Sequence, residues 1–170
     1  MNNFEQEYLS ITINQFRHNK ERAEKAFSQL SEVQLHWKPS EESNNIAIII
    51  KHLSGNMRSR WVDFLTTDGE KSYRDRDDEF CDNGESKKDL LYKWEEGWDL
   101  LFNTMESLEV DDLYKTVALK QQINVLQAIQ TEVVHISYHL GQILFIGKQI
   151  KNKEWIILSI PKNVLKSLIV

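Results

Sequence analysis

Cysteine is almost missing from this chain. Cys81 is the only one among 170 residues, so no intrachain disulfide can form and a reducing, cytoplasmic setting is expected. Two prolines and six glycines leave few interruptions, and neither a repeat nor a low-complexity tract occurs. Basic residues are not in excess: 21 Lys and Arg against 26 Asp and Glu give a net charge of −5. A general basic field for nucleic acid or anionic membrane is thereby excluded. No apolar run approaches the roughly 20 residues of a membrane span. The opening MNNFEQEYLS lacks a basic-then-apolar pattern, so no signal peptide is expected. What is abundant is core material. Hydrophobic residues make up 41%, with five Trp, seven Phe and five Tyr, which rules out global disorder. One helical domain over residues 1–170 is the expectation.

Apolar periodicity predicts four long helices. Leu9, Ile13, Phe16, Ala23, Phe27 and Leu30 lie on one face of a first helix over residues 3–30, with Lys20 in the gap. Pro39 and a Ser/Asn cluster then mark a connection. Ser43 or Asn44 can cap a second helix, IAIIIKHLSGNMRSRWVDFL, which runs to about Thr66. The charged stretch TDGEKSYRDRDDEFCDNGE follows. It exceeds the usual loop limit of about 12–15 residues, so it is either functional or locally structured. Ser86 and Asp89 form a capping signal, and Leu90, Trp94, Trp98, Leu101, Met105 and Leu108 make the cleanest seam in the chain. A brief β segment is expected near residues 116–119. Asn124 caps a fourth helix that is apolar on nearly every side over 133–146 and should lie deep. The tail EWIILSIPKNVLKSLIV is apolar enough to pack on this core or against a second subunit. The fold class read from this is all-α, a four-helix bundle with a long loop between its second and third helices and a short C-terminal tail.

Five histidines are present: His18, His36, His52, His135 and His139. The last two sit one turn apart on one helical face, the spacing at which two imidazoles share a metal ion. They lie in the most apolar helix, where an unpartnered ring costs about 1–3 kcal/mol. His52 follows a similar apolar run, IAIIIKH. Three histidines from two helices would leave a coordination position open, the catalytic arrangement. The competing reading is three core histidines bonded to backbone or to Tyr138. His18 reads as a surface residue and His36, beside Trp37, as a packing residue. Asn56 and Asp63 follow His52 on its face, and Glu132 and Gln142 flank the other pair. Each could hold an imidazole tautomer or touch substrate, or be an ordinary polar residue. Gly55 and Gly141 lie close to the histidines, and plain helix–helix contact is slightly favoured over close approach at the site.

Other chemistries lack their residues. Glu132-Val-Val-His135 occurs once, where a carboxylate-bridged di-iron site needs two such motifs. No His-Glu-x-x-His, Gly-rich phosphate loop or Gly-x-Ser-x-Gly elbow appears. Cys81 sits among acidic residues that disfavour a thiolate nucleophile.

Taken together, LHWKPSEESNNIAIIIKHL and HISYHLGQI resemble the DinB-like, bacillithiol-transferase-type superfamily. YRDRDDEF and LSIP further resemble an uncharacterised bacterial subgroup of it, and the likeness spans residues 3–160. It implies a four-helix bundle holding a divalent ion, zinc or nickel, on His52, His135 and His139, commonly as a homodimer. It also implies a small-molecule substrate, with transfer of a low-molecular-weight thiol such as bacillithiol. Arg58, Arg60, Arg74 or Arg76 would then grip the thiol's carboxylates or simply form a solvated face. Hydrolysis by metal-bound hydroxide and a non-enzymatic metal-binding stress or docking module are the alternatives.

Overall fold

The computed structural model describes residues 4–67, 69, 71–118 and 122–159. Helix α1, Phe4–Phe27, buries Leu9, Phe16, Ala23 and Phe27 along one side. Lys20 is half-buried in the gap of that stripe, where its ammonium meets Glu24 and Glu95. The expected start at Asn3 lies outside the described residues. Leu30, expected in the same helix, is buried from the turn that follows it. A single turn, α2 (Glu32–Leu35), is closed by a reciprocal Ser31–Gln34 cap.

Helix α3, Ile46–Trp61, is capped by Asn45 rather than Ser43 or Asn44. The Asn45 oxygen accepts from the Ile48 N–H, while its amide donates to the His36 carbonyl and to Asp82. Those two bonds reach other parts of the chain, and they select one capping residue among several that local chemistry allows. The helix also stops five residues earlier than the expected Thr66. Asp63 takes a positive φ of 50°, and the N–H groups of Thr66 and Thr67 fold back onto its carbonyl.

Within the charged stretch lies a short helix, α4 (Arg76–Glu79), capped by Asp75. Helix α5, Lys87–Ser107, begins at the Ser86 cap as expected and buries Leu90, Trp94, Trp98, Leu101 and Met105. A 3-10 turn over Val110–Tyr114 leads into strands β1 (Thr116–Ala118) and β2 (Gln122–Asn124). They pair antiparallel with Val117 opposite Ile123. The far end of the expected β segment, Leu119, lies outside the described residues. Helix α6, Val125–Lys151, starts at the Asn124 cap.

The molecule is predominantly helical, and the four long helices share one core. Helix α3 packs chiefly on α5 and α1 on α6, with α1–α5 and α3–α6 contacts closing the set. An aromatic ladder of Phe16, Phe27, Trp94, Trp98 and Phe102 joins α1 to α5. Helix α6 is not buried all round: Val134, Tyr138 and Phe145 are exposed. Its neighbours cover one side only, so the apolar residues on the other side remain on the surface. Past α6, Trp155 folds back against Gly147, and the Ile156 backbone bonds Gln29. Residues 160–170, the rest of the apolar tail, lie outside the described residues. Among the described residues no helix is long and apolar enough to cross a membrane.

Candidate metal centre

The buried run Ile46–Ile50 seats α3 in the core and carries His52 inward with it. Helix α6 brings His135 and His139 to the same place from the opposite side, one turn apart. Ring centroids are 5.1 Å apart for His52–His135, 5.1 Å for His52–His139 and 4.9 Å for His135–His139. One ligand nitrogen from each lies within 4.8 Å of the others, and the cluster could hold a metal ion.

The second nitrogen of each ring shows whether the donor set suits a cation. His52 Nδ1 lies 3.1 Å from Glu79 Oε2. An ionised carboxylate only accepts, so Nδ1 carries the hydrogen and a neutral ring keeps its Nε2 lone pair facing inward. His139 Nδ1 donates to Gln142 Oε1 at 2.9 Å, with the same consequence. His135 Nδ1 has Glu132 Oε1 3.5 Å away, and among the described residues this buried nitrogen has no closer hydrogen-bond partner. Meanwhile His52 Nε2 and His135 Nε2 stand 3.0 Å apart. Two lone pairs at that distance repel unless a proton or a metal cation lies between them. Two imidazoles with outward Nδ1–H groups, and a third whose Nε2 meets that of His52, make a donor set of the kind zinc-type ions take.

Glu132 is completely buried and faces Arg60, whose Nη1 donates to Oε2 at 2.9 Å. With its amide nitrogen turned toward the carboxylate, Asn56 donates to both Glu132 oxygens at 3.2 and 3.3 Å. Glu79 is gripped by Arg74, Nε to Oε1 at 2.7 Å and Nη2 to Oε2 at 2.9 Å. Burial alone would push the Glu79 carboxyl up, but His52 and Arg74 outweigh it and hold it below its ordinary value.

Three of the four expected polar neighbours, Asn56, Glu132 and Gln142, thus gather around the rings. Asp63 does not. It lies exposed in the turn beyond Trp61, because α3 ends before the step of 11 from His52 can bring it round. His18 is exposed. His36 is half-buried, but its role is polar: its ring bonds Asp82 Oδ1 at 2.7 Å and the Glu85 carbonyl at 3.0 Å. Gly141 faces open space, whereas Gly55 faces the Glu79 side chain at the end of α4. Glu79 and Arg74 were not among the candidates for holding a ring. Both sit in the aperiodic charged stretch, and Gly55 was the only hint of them.

A cavity of about 1050 Å³ opens on the three rings. Ile123, Leu126, Val134 and Tyr138 supply an apolar wall, and Arg60, Arg74 and Arg76 supply cations. Arg58 is not in its lining and instead stacks over Tyr73.

Burial, reinforced by the neighbouring His135 and His52, lowers the His139 pKa from 6.5 to about 4, against the opposing pull of Gln142. This has a consequence for the metal-free protein. Between pH 6.5 and about 4 the unfolded chain takes up a proton that the folded ring refuses. The stability from this group is complete above pH 6.5 and should be lost as pH falls toward 4. Urea midpoints measured across that window should decline, and His139→Gln should flatten the decline. Glu79 acts in a separate window, since its depressed pKa withdraws stability only below its ordinary 4.5.

No curated protein matches the chain. Residues 3–164 match a family described as "Protein of unknown function (DUF1572)", and the chain belongs to that family.

Proposed function

We propose that this protein is a DinB-like four-helix bundle that binds a divalent ion, zinc or nickel, through His52, His135 and His139. Its reaction in this reading is transfer of a low-molecular-weight thiol, such as bacillithiol, to an electrophile. The observation that carries the metal reading is the convergence of three imidazoles, two of which have partners that hold the outer hydrogen away from the centre. The cavity over them supports a position open to substrate, which a purely structural site would not need. A bound divalent ion would lower the pKa of a thiol beside it and hold it as the reactive thiolate.

The chain's own residues divide the remaining work. Glu79 and Gln142 fix two ring tautomers by accepting from Nδ1, and Glu132 stands behind the third. Arg60 and Arg74 are committed to Glu132 and Glu79. Arg76 lines the cavity without an ion pair among the described residues, so it is the cation with charge to offer a thiol's carboxylate. The apolar wall of α6 would take the electrophile. The resemblance also carries a cytoplasmic homodimer into this reading, and sedimentation at the monomer mass would remove that part.

The test is turnover. Zinc- or nickel-loaded protein, bacillithiol and 1-chloro-2,4-dinitrobenzene should give S-arylated thiol and chloride. The variant with His52, His135 and His139 all changed to alanine should hold no metal and give the background rate. Equal rates would end the transferase reading, and equal metal content would end the metal reading as well.

A further inference from the structure

We propose that Glu79 is the positioning residue for His52, and that residue 55 is a glycine in order to admit it. Metal binding on α3 and folding of the 74–85 segment are then one coupled event. This rests on the metal reading above, and the experiment separates the two.

Gly55 lies one turn beyond His52 in the middle of α3, where glycine costs helix stability. A Cβ built there would fall 2.1 Å from Glu79 Oε1, 2.7 Å from its Cδ and 3.3 Å from its Cγ. All three nearest atoms belong to one side chain, so the space at position 55 is shaped by Glu79. That carboxylate is itself buried, and it lies between His52 Nδ1 and the Arg74 fork. An alanine at 55 would displace it from the imidazole.

The segment carrying Glu79 is held to α3 almost wholly by polar contacts. Lys51, the neighbour of His52, donates to the Cys81 carbonyl at 2.9 Å and pairs with Glu85 at 2.7 Å. Asp82 is held by His36 at 2.7 Å and by Asn45 at 2.6 Å. Phe80 adds a ring contact to His52, 4.8 Å between centroids, yet stays 41% exposed. With so little apolar burial, the segment is fastened by a handful of polar bonds, and Glu79–His52 is the one among them that reaches the metal centre. A cation at Nε2 requires the proton on Nδ1, where it points at Glu79. Each event favours the other, and the gain is reciprocal. Arg74, Arg76 and Phe80 would thus be set as cavity wall when the metal site fills.

Zinc affinity of the full chain by chelator competition reads this directly. Glu79→Ala should bind about 10–100-fold more weakly. Glu79→Gln keeps the volume and one acceptor and should lose less, which covers the case in which the alanine variant folds poorly. Gly55→Ala should lose about as much as Glu79→Ala, since both break the same contact. In the Glu79→Ala background, Gly55→Ala should cost nothing more in affinity and should raise the thermal midpoint, because the added methyl then meets no carboxylate. Hydrogen exchange over 74–85 should slow on zinc addition in the unmodified protein and not in Glu79→Ala. Equal affinity of Glu79→Ala and the unmodified protein would overturn the inference and leave the metal site standing. A Gly55→Ala loss that persists without Glu79 would overturn it too. Failure of the unmodified chain to bind zinc or nickel would remove the inference together with the reading beneath it.

Discussion

Trp98→Ala should destabilise the protein by about 3–5 kcal/mol in urea denaturation, the range for truncating a large buried aromatic. Trp98 is fully buried on α5, edge-on to Phe16 at 6.3 Å and Trp94 at 5.5 Å and stacked on Phe102 at 5.4 Å. Its indole nitrogen has no hydrogen-bond partner among the described residues, so the cost is one of packing and cavity, with no lost hydrogen bond to add. Trp98→Phe should therefore recover most of the loss. Helix α5 supplies none of the three histidines, so zinc affinity measured where the variant is still folded should match that of the unmodified protein. A loss below about 1 kcal/mol would mean the site collapses around the missing ring, against the close packing seen there.

Trp94 and Trp98 are legible in the sequence, because α5 repeats apolar residues at steps of 3 and 4 without a break, whereas Phe102 lies off that seam. His135 and His139 were legible on similar grounds, as a one-turn pair on a helix, and His52 followed from the apolar run before it. What a period cannot carry is where a helix stops. The expectation for Asp63 assumed that α3 continued past Trp61, and the turn there removes it from the site. Asn45 could not be chosen over Ser43 and Asn44 by capping chemistry. Its selection depends on His36 and Asp82, and Asp82 lies 37 residues away. Glu79 was hidden for the same reason, being 27 residues from His52 in a stretch with no periodicity. The reverse error occurred on α6. Apolar residues on nearly every side predict deep burial, although Val134 and Tyr138 line the cavity and Phe145 faces outward. Composition reports how apolar a helix is, and only its neighbours decide which sides they cover.

Glu132→Ala should be damaging in two separable ways. The carboxylate is wholly buried, accepts from Arg60 and Asn56, and stands behind His135. Removing one partner of a buried ion pair costs about 3–5 kcal/mol, because the charge left behind has lost its counter-ion. Arg60 keeps 22% side-chain exposure and can recover some hydration, so the low end, about 3 kcal/mol, is expected. The double variant with Arg60→Ala should lose clearly less than the sum of the two single losses, since no unpaired guanidinium remains. Zinc affinity should behave differently. Both variants lacking Glu132 should bind about 10–100-fold more weakly, because His135 Nδ1 has lost the carboxylate beside it whether or not Arg60 is present. Additive stability losses would reduce Glu132 and Arg60 to independent residues. Unchanged zinc affinity would separate Glu132 from His135 altogether and leave the carboxylate as a counter-ion for Arg60 alone.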